Sequence, residues 1–183
     1  LPAKNESGAI GKTIVQIQQL QLVYEIIVVN DGSTDSTQAV AEQAGARVVS
    51  HPYSKGNGAA IKTGARTATG EVIIFMDADG QHDPNDIPRL IDKIEQDYDL
   101  VVGARQKGSQ ASVGRGVANA LYNNLATYMT EQKVEDLTSG FRAVRADKFR
   151  EFLYLLPNGF SYPTTSTMAF FRAGYSVTYV PIH

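Results

Sequence analysis

The sequence predicts an α/β fold, a mostly parallel central sheet with helices on both faces. Three observations predict it. Amphipathic stretches and short apolar, β-branched runs alternate four times between Ile10 and Gly103, the rhythm of βαβ units. The connections are a few residues long, as in crossovers between neighbouring parallel strands. No repeat, low-complexity tract or Pro/Gly/Ser-rich linker divides the 183 residues, a length that suits one well-buried domain.

Each element has its own signal. Asn5-Glu6-Ser7-Gly8 precedes an amphipathic helix, Ile10 to Leu22, in which Ile10, Ile14, Ile17 and Leu20 keep helical spacing. Tyr24 to Val29 reads as a buried strand. It ends at Asn30-Asp31-Gly32-Ser33-Thr34-Asp35, a turn dense in capping residues. A helix over Ser36 to Ala44 closes at Gly45. Arg47 to Val49 is a short strand, His51 to Asn57 a loop, and Gly58 to Thr67 an Ala-rich helix. Val72 to Phe75 is an unbroken apolar run, a strand buried on both faces. The next helix starts at Asp83-Pro84, an N-cap followed by a first-position proline. It runs to Gln96 with Ile87, Leu90, Ile91 and Ile94 on one face, and Leu100 to Gly103 is the next strand. Ala104 to Gly116 is a polar loop carrying Arg105, Lys107 and Arg115; loops this long are often functional or mobile. Val117 to Thr130 reads as a helix, Phe141 to Val144 as a strand and Ala146 to Leu155 as a helix. Phe160 to Arg172 is an aromatic cluster around Pro163, and Ser176 to Val180 an edge strand.

Composition is that of an ordinary soluble globular protein, 43% hydrophobic and 20% charged. A net charge of −2 gives no overall pull towards nucleic acid. The chain has no cysteine, which excludes disulfides and thiolate metal sites and fits a reducing compartment. No apolar run approaches the roughly 20 residues of a membrane span. The chain opens on Leu1-Pro2-Ala3 without Met and stops directly after a strand-like run. The expectation is one catalytic domain, cut at both ends.

Two carboxylates, Asp77 and Asp79, follow the Val72–Phe75 run after Met76. Ligands of open α/β sheets bind at the carboxyl ends of strands. An oxygen-rich turn there suits a hard cation, Mg²⁺ or Mn²⁺, bridging to a phosphate. The plainer alternative is that Asp79 and Asp83 only cap a helix.

Glu25 to Asp35 resembles the first nucleotide-binding signature of family 2 glycosyltransferases, and Asp77-Ala78-Asp79-Gly80-Gln81-His82-Asp83-Pro84 resembles their DxD metal signature. Gly103-Ala104-Arg105 and Ser139-Gly140-Phe141-Arg142 resemble elements of the branch that holds dolichyl-phosphate mannose synthases and bacterial polyprenyl-phosphate glycosyltransferases. The resemblance implies a GT-A fold with a Rossmann-like sheet, a GDP- or UDP-hexose donor and a divalent metal. It further implies an inverting transfer to a polyprenyl phosphate at the cytoplasmic face of a membrane, with peripheral membrane contact. Pro2-Ala3 and Asn5-Glu6 match the family's opening segment, whereas Lys4 stands where an aromatic is usual. Asn30 stands where the family commonly has a carboxylate, and Asn57 where it has Lys or Arg. These positions belong to the base or ribose end of the donor site, with Ala78 beside them.

A held diphosphate and a neutralised leaving group are the first needs of such a transfer. A metal on Asp79, with Asp77 and Gln81 as further ligands, would serve both; Asp77 can instead face the ribose. Asp31 can accept hydrogen bonds from the base or ribose, or cap a helix. Gly56 and Gly58 let backbone approach a ligand, or simply make a turn. A phosphate nucleophile needs no base, since its second pKa lies near ~6. It needs cationic anchors, and Arg105 and Arg115 fit by their forked geometry. A solvated basic loop is the alternative. Asp136 can act as a base or orient Arg142. With no Trp, the chain lacks the Arg-Trp signature of processive polysaccharide synthases. The nearest alternative is a family 2 enzyme with a saccharide or protein hydroxyl as acceptor.

Overall fold

The computed structural model describes residues 1–105, 127 and 134–182. Its elements run β1 (Pro2–Ala3), α1 (Ile10–Gln19), β2 (Ile27–Asn30), α2 (Thr37–Gln43), β3 (Arg47–Ser50), α3 (Asn57–Thr67) and β4 (Val72–Phe75). A 3₁₀ turn (Pro84–Asp86), α4 (Ile87–Glu95), β5 (Leu100–Arg105), β6 (Arg142–Arg145), α5 (Ala146–Glu151), α6 (Tyr162–Arg172) and β7 (Val177–Ile182) follow.

The strands form two sheets. In the first, β1, β2 and β3 lie side by side, all parallel. The second has the order β4-β6-β5-β7. There β5 and β7 are parallel, while β6 runs antiparallel to both β4 and β5. The strands thus divide into two sheets rather than the one expected: the first is all parallel, and in the second the reversed β6 makes two of the three pairings antiparallel, while β7 takes the edge place expected of it.

Strand alternation decides where the core lies. Leu100 and Val102 face one cluster with Phe75, Ile61, Phe149 and Phe170, under α3, α5 and α6. Val101 faces the opposite cluster with Met76, Leu90, Ile94 and Phe141, under α4. Burying apolar surface on both faces is what a central strand made of Val and Leu requires.

The differences from the expected boundaries have local causes. Helix α1 ends at Gln19 rather than Leu22, because Gln21 takes a positive φ of 55°, which a helix cannot continue through. Strand β2 starts at Ile27, since Tyr24 is 94% exposed. Pro88 has no N–H to give the Pro84 carbonyl, and the turn before α4 tightens to 3₁₀ with Ile87 N–H bonded to Pro84 O. The aromatic segment around Pro163 is the helix α6. Ala104 and Arg105 belong to β5 rather than to a loop. Most of the expected loop, including Arg115, and the expected helix from Val117 to Thr130, apart from residue 127, lie outside the described residues.

Candidate active site

Two aspartate turns meet at the carboxyl ends of β2 and β4. In the first, Asp31 is buried, 4% exposed. Parallel register pairs Asn30 with Ser50, so the next residues, Asp31 and His51, fall beside each other. His51 Nδ1 lies 2.6 Å from Asp31 Oδ1, and its Nε2 lies 2.9 Å from Thr63 Oγ1. Asp31 Oδ2 accepts from Ser54 Oγ (2.8 Å) and Gly56 N (2.9 Å), and Oδ1 accepts from Lys55 N (2.8 Å). Burial pushes this carboxyl upward, but the donors outweigh it and hold the pKa at about 2.

The rest of the signature is also bonded within the protein. Asn30 Nδ2 donates to Ser50 Oγ and its Oδ1 accepts from Ser33 N. Asp35 accepts from Ser7 N and Thr37 N, and Asn5 Oδ1 accepts from Thr34 N. These bonds tie the exit of β1 to the exit of β2. Lys4 Nζ reaches Ser54 Oγ at 3.2 Å, on the exposed rim of the same turn.

The second turn follows β4. Pro84 and Asp83 start the 3₁₀ turn as expected, with Asp83 Oδ1 accepting from Asn85 N at 2.9 Å. Asp79 is exposed; its Oδ1 accepts from Gln81 N at 3.0 Å, and among the described residues it has no ion-pair partner. His82 Nε2 stands 3.7 Å from Asp77 Oδ2, and its ring stacks on Phe141 at 5.1 Å. Burial raises the Asp77 carboxyl, but His82 and Asn57 bring it below the usual range. Half-buried Glu6 is pushed up by its own burial, then by Asp79, Asp35 and Asp77. Four carboxylates therefore share one neighbourhood.

Asp77, Asp79 and the Gln81 amide are hard oxygen donors that fit Mg²⁺ or Mn²⁺. No three His, Asp or Glu side chains among the described residues converge to enclose a cation. A metal held by one or two carboxylates plus substrate phosphates needs no such cage. Ala78, between the two, is buried at 2% exposure.

Gly56 and Gly58 do allow a close approach, but to the chain itself. Gly56 has a φ of +102°, and an added Cβ would come within 2.4 Å of Asn158 O. At Gly58 it would come within 2.1 Å of Pro157 O. The first free N–H groups of α3 are used here: Gly58 N bonds Gly159 O and Ala59 N bonds Asn158 O, both at 3.2 Å. Lys62 Nζ adds bonds to Leu156 O and Asn158 Oδ1. The close approach that Gly56 and Gly58 permit is thus to the Pro157–Gly159 segment, the turn-forming alternative of the two. Asn57, between the glycines, has a buried Oδ1 with no hydrogen-bond partner. Asn57 also stands beside Asp77, where it helps to bring that carboxyl below its usual range, and its unpartnered oxygen is an acceptor to spare.

A third group sits at the end of β5. Arg105 Nε donates to Asp136 Oδ2 (2.9 Å) and Nη2 to Asp136 Oδ1 (3.1 Å), a bidentate pair. Nη2 also reaches Thr138 Oγ1 at 2.8 Å. Asp136 accepts in addition from Thr138 N and Ser139 N. Burial raises its pKa, and Arg105 more than reverses this. The expectation that Asp136 orients Arg142 is corrected: it holds Arg105. Arg142 is fully buried and donates to Ser139 O, Pro163 O, Ser166 Oγ and Thr167 Oγ1. It fixes Ser139–Gly140 against Asp77: a Cβ on Gly140 would lie 3.0 Å from Asp77 Oδ2.

These pieces enclose a cavity of about 300 Å³ lined by Asp77, Gln81, His82, Arg105, Thr138, Ser139, Gly140 and Ile182. Sequence reasoning missed His51 and Thr138, and named Gly140 only within the Ser139–Arg142 motif, without a role. Only the strand register could have revealed His51, and no spacing pointed to Thr138.

Comparison with known proteins identifies the family and the fold. The model of Glycosyl transferase family 2 matches residues 1–153. Undecaprenyl-phosphate 4-deoxy-4-formamido-L-arabinose transferase of Proteus mirabilis is 34% identical over 157 residues, 79% of this chain and 47% of that protein. Glycosyltransferase AglJ of Haloferax volcanii is 28% identical over 185 residues, 98% of this chain and 60% of that protein. The chain spans about half the length of the curated relatives it matches. Glucosyl-3-phosphoglycerate synthase of Mycobacterium tuberculosis, solved with Mg²⁺ and UDP, superposes with a TM-score of 0.80 at 28% identity, covering 99% of this chain and 67% of that one. The same enzyme in complex with phosphoglyceric acid gives 0.80 at 26% identity, over 99% and 68%. Signature turns, fold and family match together place this chain in glycosyl transferase family 2, with the GT-A fold.

Proposed function

We propose that the chain is the catalytic domain of an inverting, metal-dependent hexosyltransferase that moves a sugar from a GDP- or UDP-hexose to a polyprenyl phosphate. It would work at the cytoplasmic face of a membrane. The observation that carries this reading is the shared cavity, lined by Asp77 and Gln81 together with the braced Arg105. Asp77, Asp79 and Gln81 would hold Mg²⁺ or Mn²⁺, which when bound neutralises the departing diphosphate. Arg105, fixed by Asp136, offers the remaining face of its guanidinium to an acceptor phosphate, and Arg115 is proposed to assist it. Asn57 Oδ1 accepts a hydroxyl or N–H of the donor. Pro2, Ala3, Lys4, Glu6, Asn30 and Asp31 build the wall at the nucleotide end.

A phosphate acceptor is favoured over a hydroxyl because of Asp136. A base must be free to take a proton, whereas both Asp136 oxygens already accept from Arg105 and backbone N–H groups. The relatives that act on undecaprenyl phosphate and the neighbour solved with Mg²⁺ and UDP support the same reading. The test is mass spectrometry of the products formed from UDP- and GDP-hexoses, Mn²⁺ and a short polyprenyl phosphate. A hexosyl phospholipid is expected. Transfer only to a free saccharide hydroxyl would overturn the reading.

A further inference from the structure

The face beside the donor turn has an unusual charge pattern. From Gln43 to Gly70 there is no acidic residue, while Arg47, Lys55, Lys62 and Arg66 are cationic. From Phe152 to Phe171 there is no charged residue at all. In a chain of net charge −2, this segregation is marked. The fold brings the two stretches together through the Gly58–Gly159 and Ala59–Asn158 bonds and through Lys62.

Large apolar side chains stand out from water's side of that junction. Phe160 is 82% exposed, Tyr154 81% and Tyr53 66%. Leu155 is also exposed, at 47%. Lys55 Nζ lies over the Tyr53 ring, 5.6 Å from its centre. The neighbours in sequence turn inward: Leu153 and Leu156 are core residues. Tyr154 and Leu155 thus form an outward tip between two anchors. Exposed aromatics beside a lysine, without acids, match the headgroup layer of an anionic bilayer. The junction also borders the site, since Asn57 stands between the two glycines packed on Asn158 and beside Asp77.

We propose that Tyr154, Leu155 and Phe160, with the exposed Lys55 beside Tyr53, form a membrane-docking face that seats in an anionic lipid surface and presents the catalytic cavity to a lipid-borne substrate. Among the described residues no helix is long and apolar enough to cross a membrane, so contact from this part of the chain is interfacial. The aromatic rings insert among the headgroups, and Lys55 meets a lipid phosphate, while Lys62 holds the junction together from within. The choice of a lipid surface rests on the transferase reading above; docking itself is tested without it.

The experiment is co-sedimentation of the protein, without donor or acceptor, on vesicles of phosphatidylcholine with phosphatidylglycerol and on phosphatidylcholine alone. The protein is expected to partition onto the anionic vesicles, less so as salt is raised. The double variant Tyr154→Ser/Phe160→Ser should bind at least ~10-fold more weakly, from the loss of two interfacial rings. Its turnover with a short, water-soluble isoprenyl phosphate should be unchanged, which also shows that it folds. Equal sedimentation of variant and parent, or a parent that ignores anionic vesicles, would overturn the proposal. So would loss of a self-associated species in the variant with vesicle binding intact, which would assign the face to a second copy. A protein that docks but transfers no sugar would fail the catalytic reading alone.

Discussion

The turns after β2 and β4 both carry aspartates at strand ends, yet one is satisfied and the other is open. Asp31 is buried and has protein donors on both oxygens. Asp79 is exposed and has a single backbone donor on one oxygen. Asp77 lies between these extremes, half-buried with His82 at 3.7 Å. A carboxylate with every lone pair used holds a loop in place. One with lone pairs to spare waits for a cation. The same residue type in the same topological position thus serves architecture in one turn and, in the other, keeps lone pairs open for the cation proposed above.

The largest effect should come from the open turn. Asp79→Ala is expected to abolish Mn²⁺-dependent binding of UDP or GDP while the melting temperature stays near the parent's. Titration calorimetry with and without metal checks this. Undiminished metal-dependent binding would erase the distinction between the turns.

Next comes the brace at β5. Arg105→Ala should lower kcat/KM by roughly 10²-fold, the scale of losing one preorganised charge-stabilising donor. Asp136→Asn should cost less, about 10-fold, by loosening Arg105 while leaving it present. The two should be far from additive, because they form one unit. If Asp136→Asn were dead beside an active Arg105→Ala, Asp136 would be a base and the acceptor a hydroxyl.

How far the sequence disclosed this contrast follows from where the contacts come from. Val72–Phe75 was readable to the residue because an apolar β-branched run bounded by Glu71 and Asp77 has no other good placement. Both aspartate turns were readable as signatures. Which of them is saturated was not, because the donors to Asp31 come from residues 51–56, through strand register. The partner of Gly56 and Gly58 lies about a hundred residues on, at Pro157–Gly159. Reversal of β6 depends on its pairing between β4 and β5, which a strand's own composition does not encode. Helix α6 hid behind Thr164, Thr165, Ser166 and Thr167, poor helix formers. Their cost is offset where Ser166 and Thr167 bond Pro163 O and receive Arg142.

The closed turn should fail in a different way. Asp31→Asn replaces an acceptor by a group whose N–H₂ faces other donors. It is expected to lower stability by about 1–3 kcal/mol, the cost of unsatisfied buried partners, and to loosen Ser54, Lys55 and Gly56. Denaturant unfolding measures the first, and hydrogen exchange at Lys55 and Gly56 the second. Metal binding at Asp79 should persist in this variant, though nucleotide affinity falls as the loop loosens.

The smallest expected effect is a pH dependence confined to that same turn. The Asp31 pKa is depressed in the folded protein, to about 2 against an ordinary value of 3.8. A depressed carboxyl stabilises the fold fully above its unfolded pKa, and that contribution is lost as pH falls through the folded value. The stability gap between the parent and Asp31→Asn should therefore be constant from neutral pH to about 5 and narrow from there towards pH 2. Asp35 is depressed to about 2 as well, but it is present in both proteins and drops out of the difference. Paired urea titrations at several pH values measure the gap. A gap that stays constant down to pH 2 would show that the bonds to Asp31 do not depend on its charge. The two turns would then differ only in exposure.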